Sequence, residues 1–264
     1  MNLELTEKRV LITGGSRGIG LACAQAFLRE GAKVAIIGRS EANLAAARTA
    51  LVADAPGADP FTVAADLSDA AQAAHAVDAA AAALGGIDIL VTSAGGARRT
   101  PPAELTPKSW RDAMDAKYFS YMHVIDPVIK RMAQAGHGAI VNVVGMGGKV
   151  ASPTHLPGGA ANAALMLATA GLASAYGRSG VRVNALNPSA TRTERLQQGL
   201  EAEAKLAGTT VDEALGKANE RTGLGRLAAP EEIADAVLFL ASARASYISG
   251  AILSIDGATT PIVV

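Results

Sequence analysis

Short β-branched apolar runs alternate with longer alanine-rich segments along most of this chain. A strand buried on both faces reads as a continuous apolar run, whereas a helix packed on a sheet spaces its apolar residues more widely. The pattern predicts strands at Val10–Thr13, Lys33–Ile37, Phe61–Ala65, Ile87–Thr92, Ala139–Val144, Val181–Leu186 and Ala251–Ile255. Helix starts fall between them, at Ser40 before Glu41, Thr106 before Pro107, and Pro230 before Glu231-Glu232. Each of these matches an N-cap, first-position or first-turn preference. Strand and helix alternating in this way predict an α/β fold, a doubly wound parallel seven-stranded sheet with helices on both faces.

At 264 residues and 50% hydrophobic content, one domain spanning residues 1–264 is the default expectation. The stretch Glu194 to Arg221 is more polar than its surroundings. It reads either as an inserted helical lid or as a solvated surface excursion. Formal net charge is zero, and neither a Lys/Arg run nor the 3% aromatic content offers a surface for nucleic acid or an anionic membrane. Met1–Lys8 lacks the apolar core of a signal peptide, and the alanine-rich stretch Gly158–Ala175 is interrupted by Asn162 and glycines. A soluble, cytoplasmic protein is the expectation. Cys23 is the only cysteine and reads as a small core residue, and no metal site is expected.

The most specific motif is Thr13-Gly14-Gly15-Ser16-Arg17-Gly18-Ile19-Gly20, set between the run Val10-Leu11-Ile12 and the helix-like stretch from Leu21 to Arg29. In a strand–turn–helix setting Gly14 permits the tight turn, Gly18 lets the backbone approach a pyrophosphate, and Gly20 allows close helix packing. The phosphates would sit at the helix N-terminus. The spacing TGxxxGxG resembles the fingerprint of the short-chain dehydrogenase/reductase family, which implies a Rossmann-type fold and a nicotinamide cofactor. At the end of the second predicted strand an NAD-preferring member would place an acid for the ribose hydroxyls. Here Gly38 stands in that place and Arg39 follows, with Arg17 in the glycine loop. Two guanidinium groups suit a 2′-phosphate, so NADP(H) is expected over NAD(H), the alternative being that both arginines are surface charges.

The resemblance covers nearly the whole chain. Asp66-Leu67 is similar to the family's adenine-contacting segment, and Asp88-Ile89-Leu90-Val91-Thr92-Ser93-Ala94-Gly95 to its fourth-strand motif DxLVNNAG, with Thr92 and Ser93 in place of the asparagines. Asn187-Pro188-Ser189 resembles the segment ending in Pro-Gly, and Thr193 falls where a threonine contacts the nicotinamide carboxamide. The segment from Gly225 to Ile233 and the ending from Tyr247 to Gly257 resemble the C-terminal helix, strand and oligomer-forming tail, which implies a homotetramer or homodimer.

The family's Asn-Ser-Tyr-Lys set is where this chain departs from the pattern. Following the motifs, Lys117 takes the asparagine position, Gly145 the serine position, Gly158 the tyrosine position and Asn162 the lysine position. The tyrosine normally passes a proton to the carbonyl oxygen, so a substitute is needed. His155, three residues before Gly158, is the first candidate, because imidazole suits proton transfer near neutrality. Lys117 is the second, with a solvated lysine at a helix end as its alternative. Arg98, Arg99 and Lys149 add positive charge, which would suit an anionic small-molecule substrate, with a solvated loop as the other reading. Three functions stay open: an NADP(H)-dependent oxidoreductase of carbonyl or alcohol substrates with a non-standard proton donor, a non-redox lyase or isomerase, and an inactive NADP-binding protein.

Overall fold

The computed structural model describes residues 2–262. Its strands are β1 (Arg9–Thr13), β2 (Lys33–Gly38), β3 (Phe61–Ala64), β4 (Ile89–Thr92), β5 (Gly138–Val143), β6 (Val181–Pro188) and β7 (Ile252–Ile255). They form one parallel sheet in the order β3-β2-β1-β4-β5-β6-β7. The predicted strands are all present, with ends moved by one or two residues.

Successive side chains of a strand point to opposite faces, so a sheet covered on both sides needs apolar residues at every position. In β1, Val10 and Ile12 enter one core while Leu11 enters the other. The first core packs α1 (Gly18–Arg29), α2 (Glu41–Asp54) and α9 (Pro230–Ala241) on the sheet. The second packs α3 (Ala70–Leu84), α5 (Ser120–Ala135) and α6 (Leu156–Tyr176). Cys23 is fully buried in the first core, and burial pushes its thiol up to about 12.

The helix starts read from sequence are capped as expected. Ser40 accepts from Asn43 N, and Thr106 pairs reciprocally with Ser109 ahead of Pro107 at the start of α4 (Pro107–Ala113). Glu232 reaches back to Ala229 N at 2.8 Å in α9. The helix begun by α4 does not stop near Lys117. It passes through a π-turn (Met114–Phe119) straight into α5. α6 is long and apolar enough by composition to cross a membrane. It lies on the sheet instead, with Ala161, Leu165, Thr169 and Ala173 buried. A hydrogen-bond chain from Thr92 through Asn142 to Thr169 ties β4, β5 and α6 together (2.7 and 2.9 Å).

Because β1 leads outward to β2 and β3 while β4 returns to its other side, the strand order reverses between β1 and β4. In open parallel sheets this reversal opens a crevice beyond the carboxyl ends of the strands. The polar stretch from Glu194 forms two helices, α7 (Glu194–Ala207) and α8 (Val211–Glu220), above that end.

Candidate active site

A cleft of about 1020 Å³ opens at the strand-order reversal. Gly14, Ser16, Arg17, Gly18 and Ile19 of the glycine turn line it, together with Arg39, Asp66, Leu67, Ala94, Gly95 and Thr193. The turn's shape follows from its glycines. Gly14 has φ +69, and a Cβ there would stand 2.8 Å from Ala94 Cα, so only glycine lets β1's turn meet the loop after β4. Thr13 Oγ1 fixes that loop by accepting from Ser93 N (3.2 Å) and Ala94 N (3.3 Å). A cradle this close to backbone N–H groups at the start of α1 fits an elongated phosphate-bearing ligand.

At the far end of the cleft a side chain on Gly38 would begin 3.2 Å from both Leu44 Cδ2 and Ser16 Oγ, so the position is already packed. Arg39 lies near Asp66, whose carboxyl is held below its usual range by hydrogen bonds from Ser68 N and Oγ, with Arg39 adding to the effect. Arg17 reaches the first residue of α7, Glu194, at 3.1 Å. Both partners are exposed.

The candidate proton donors sit at the same carboxyl end of the sheet, beside the loop after β4 and the end of β5. His155 ends a single 3-10 turn (Pro153–His155) and precedes α6. Its imidazole occupies the volume into which residue 158 would project. A Cβ on Gly158 would stand 2.5 Å from His155 Nε2 and 2.8 Å from Ala97 Cβ. The loop after β4 is stitched to the same turn by Thr100 N donating to Thr154 O (2.9 Å) and by Arg99 Nη1 to Thr154 Oγ1 (3.4 Å). Gly145 has φ +51, a conformation that strains any residue with a Cβ. Asn162 is 6% exposed, and its Oδ1 has no hydrogen-bond partner among the described residues; the same holds for Asn187 Oδ1, whose amide Nδ2 donates to Gly145 O at 2.9 Å. Lys117 is half-buried in the π-turn, with Nζ 2.8 Å from Tyr121 Oη and 3.2 Å from Val143 O.

A family model described as enoyl-(acyl carrier protein) reductase matches residues 14–260. The gluconate 5-dehydrogenase of Gluconobacter oxydans strain 621H is 34% identical over 257 residues, covering 97% of this chain and 96% of that one. The chain belongs to the short-chain dehydrogenase/reductase family. Among solved structures, the L-sorbose reductase of Gluconobacter frateurii complexed with NADPH and L-sorbose superposes with a TM-score of 0.94 at 27% identity, covering 100% of both chains. An NADPH-bound short-chain oxidoreductase of Pseudomonas aeruginosa PAO1 containing an atypical catalytic centre gives a TM-score of 0.87 at 31% identity, over 98% of this chain and 99% of that one.

Set against the family pattern, the structure brings the expected cofactor residues together except Gly20 and Pro188. Gly20 faces the Gly14 carbonyl, where a Cβ would collide, and so serves the packing of α1 on the turn. Pro188 ends β6 opposite Ile255 and stays off the cleft wall. Lys149 is also corrected. Its ammonium donates to Ile252 O and Ser254 Oγ (both 3.1 Å), because the edge strand β7 leaves acceptors that a nearby lysine can reach. The solvated helix end foreseen for Lys117 is replaced by a half-buried place inside a continuous helix. Asp112, Asp115, Ser120 and Glu194 line the cleft as well. No residue motif marks them: Asp112 stands in α4, Asp115 in the π-turn, Ser120 at the start of α5 and Glu194 at the start of α7.

Proposed function

We propose that this chain is an NADP(H)-dependent oxidoreductase acting on a carbonyl or alcohol of a small molecule, with His155 as its proton donor. The observation that carries the reading is the His155 imidazole lying in the space a side chain at Gly158 would take, the position the family gives to its catalytic tyrosine. The cofactor half of the reading draws on the glycine cradle, on Arg39 beside a filled Gly38, and on the NADPH complexes of the sorbose reductase and the Pseudomonas enzyme.

The glycine turn at Gly14–Ile19 and Arg39 would hold NADPH, which would supply the hydride for the carbonyl carbon. His155 in its protonated form gives its proton to the carbonyl oxygen as the alcohol forms, and regains one from solvent. The Lys117 ammonium stabilises negative charge developing on that oxygen. Asn162 Oδ1, buried and without a partner among the described residues, is an acceptor for a hydroxyl group. Gly145 and Gly158 do not enlarge the pocket in this reading, because Asn162 Nδ2 lies against one and His155 against the other. Arg99, beside the turn that carries His155, suits an anionic group on the substrate. α7 and α8 act as the lid, and Leu167, 77% exposed on the outer face of α6, suits a homotetramer or homodimer in the cytoplasm.

The test is incubation with NADPH and a panel of ketones, aldehydes and 3-oxoacyl thioesters, following nicotinamide absorbance and product mass together. Turnover should yield reduced product, and His155→Ala should lower kcat by roughly 10²–10⁴ with NADPH affinity unchanged. NADPH that binds but is consumed with no member of the panel would overturn the redox reading. A substrate mass change without nicotinamide turnover would mark a lyase or isomerase.

A further inference from the structure

The family's proton relay pairs a tyrosine with a lysine four residues later. This chain carries the reverse order, Lys117 followed four residues on by Tyr121, on a different helix of the same site. Tyr121 is fully buried, and its hydroxyl donates to the Val143 carbonyl at 2.6 Å. Burial raises its pKa, so the phenol keeps its proton and directs it at the end of β5. What remains on the phenol oxygen is acceptor capacity, and Lys117 Nζ uses it at 2.8 Å. The same ammonium contacts Val143 O at 3.2 Å and lies 4.5 Å from the centre of the Tyr121 ring.

Tyr121 already gives the Val143 carbonyl a close partner, and drawing an ammonium out of water is costly unless it is paired. Val143 ends β5 two residues before Gly145, at the carboxyl end of the sheet, and Ala116 and Ser120 on either side of Lys117 line the cleft that opens there. We infer that Tyr121 is a positioning residue that fixes the Lys117 ammonium at the end of β5, as the stationary positive charge for the substrate's reacting oxygen. This rests on the oxidoreductase reading above. Residues four apart share a helix face, so Lys117 in the π-turn meets Tyr121 in the first turn of α5.

A double-mutant cycle tests it. Tyr121→Phe keeps the ring and its packing but removes the acceptor, and should lower kcat about 10-fold, the scale of one hydrogen bond to a charged group, with KM and NADPH affinity unchanged. Lys117→Met should lower kcat at least as much, and adding Tyr121→Phe to it should cost nothing further. Equal loss from Tyr121→Phe in both backgrounds, or none in either, would overturn the proposal. A second readout needs no turnover: the ¹⁵N–¹H resonance of the Lys117 ammonium, assigned by its loss in Lys117→Met. Hydrogen bonding should slow its exchange enough to be seen in the unmodified chain, and Tyr121→Phe should abolish it. A missing resonance in the unmodified chain, or one unaltered in Tyr121→Phe, would overturn the placement. An enzyme that reduces no carbonyl while showing the resonance would sink the oxidoreductase reading and leave the held ammonium standing.

Discussion

Arg39 follows the packed Gly38 at the end of β2 and lies near an ionised Asp66. A guanidinium there recognises a dianionic phosphate and gains little from a ribose hydroxyl. Arg39→Ala should therefore raise the NADPH dissociation constant by roughly 10–100-fold and leave that of NADH nearly unchanged, as nicotinamide fluorescence titration would read. An equal loss for both cofactors would remove Arg39 from 2′-phosphate selection. At this scale the sequence was informative where a residue's chemistry depends on its immediate neighbours, as with Gly14 and Arg39. It singled out His155 by its distance from Gly158 but not the ring's placement against Gly158 and Ala97, which depends on a turn held by Thr100 and Arg99 from a distant loop.

The helices α7 and α8 share a small apolar cluster of their own, in which Leu200, Ala204 and Ala214 are buried. That cluster is separate from the two cores that hold the sheet. Elements that bury few contacts against the body open at low cost. Across the cleft, the ion pair between Arg17 and Glu194 joins this hairpin to the glycine turn. A cofactor phosphate near Arg17 must compete with Glu194, so Glu194→Gln should tighten NADPH binding by about 2–5-fold, the worth of an exposed ion pair. Isothermal titration at low and high salt would measure it, and the gain should shrink as salt rises. Weaker binding in the variant would mean that Glu194 itself supports the cofactor. The π-turn belongs to this scale too. Ser120 Oγ donates to both Ala116 O and Lys117 O there, meeting carbonyls that the turn displaces from the regular helix ladder.

Across the whole molecule, the amino ends of three central strands are tied by one carboxylate. Asp88, just before β4, accepts from Arg9 N and Nε at 2.9 Å and pairs with Arg9 Nη2 at 2.6 Å, while His137 Nε2 stands 3.0 Å away. Burial works against its charge, but the Arg9 and His137 contacts outweigh burial and hold the carboxyl well below the usual carboxylate range. A carboxylate with a depressed folded-state pKa stabilises the fold above its unfolded value, about 3.9, and that contribution is lost as pH falls below it. Thermal melts between pH 3 and 7 should show stability falling at the acid end. Asp88→Asn should cost about 1–3 kcal/mol at pH 7 and flatten the acid limb. An unchanged acid slope in the variant would assign the loss to other carboxylates.

By itself the sequence determined the strand–helix alternation, the doubly wound sheet, the glycine turn and the basic end of the cleft. These are local: a strand covered on both faces must be apolar throughout, and a turn at positive φ must be glycine. The tertiary structure alone decided that Lys149 serves β7, that His155 fills the space beside Gly158, and that Lys117 is held by Tyr121 and the end of β5. Each of these depends on which distant carbonyl or vacant volume a side chain meets, and packing between elements, which no single segment encodes, sets that meeting.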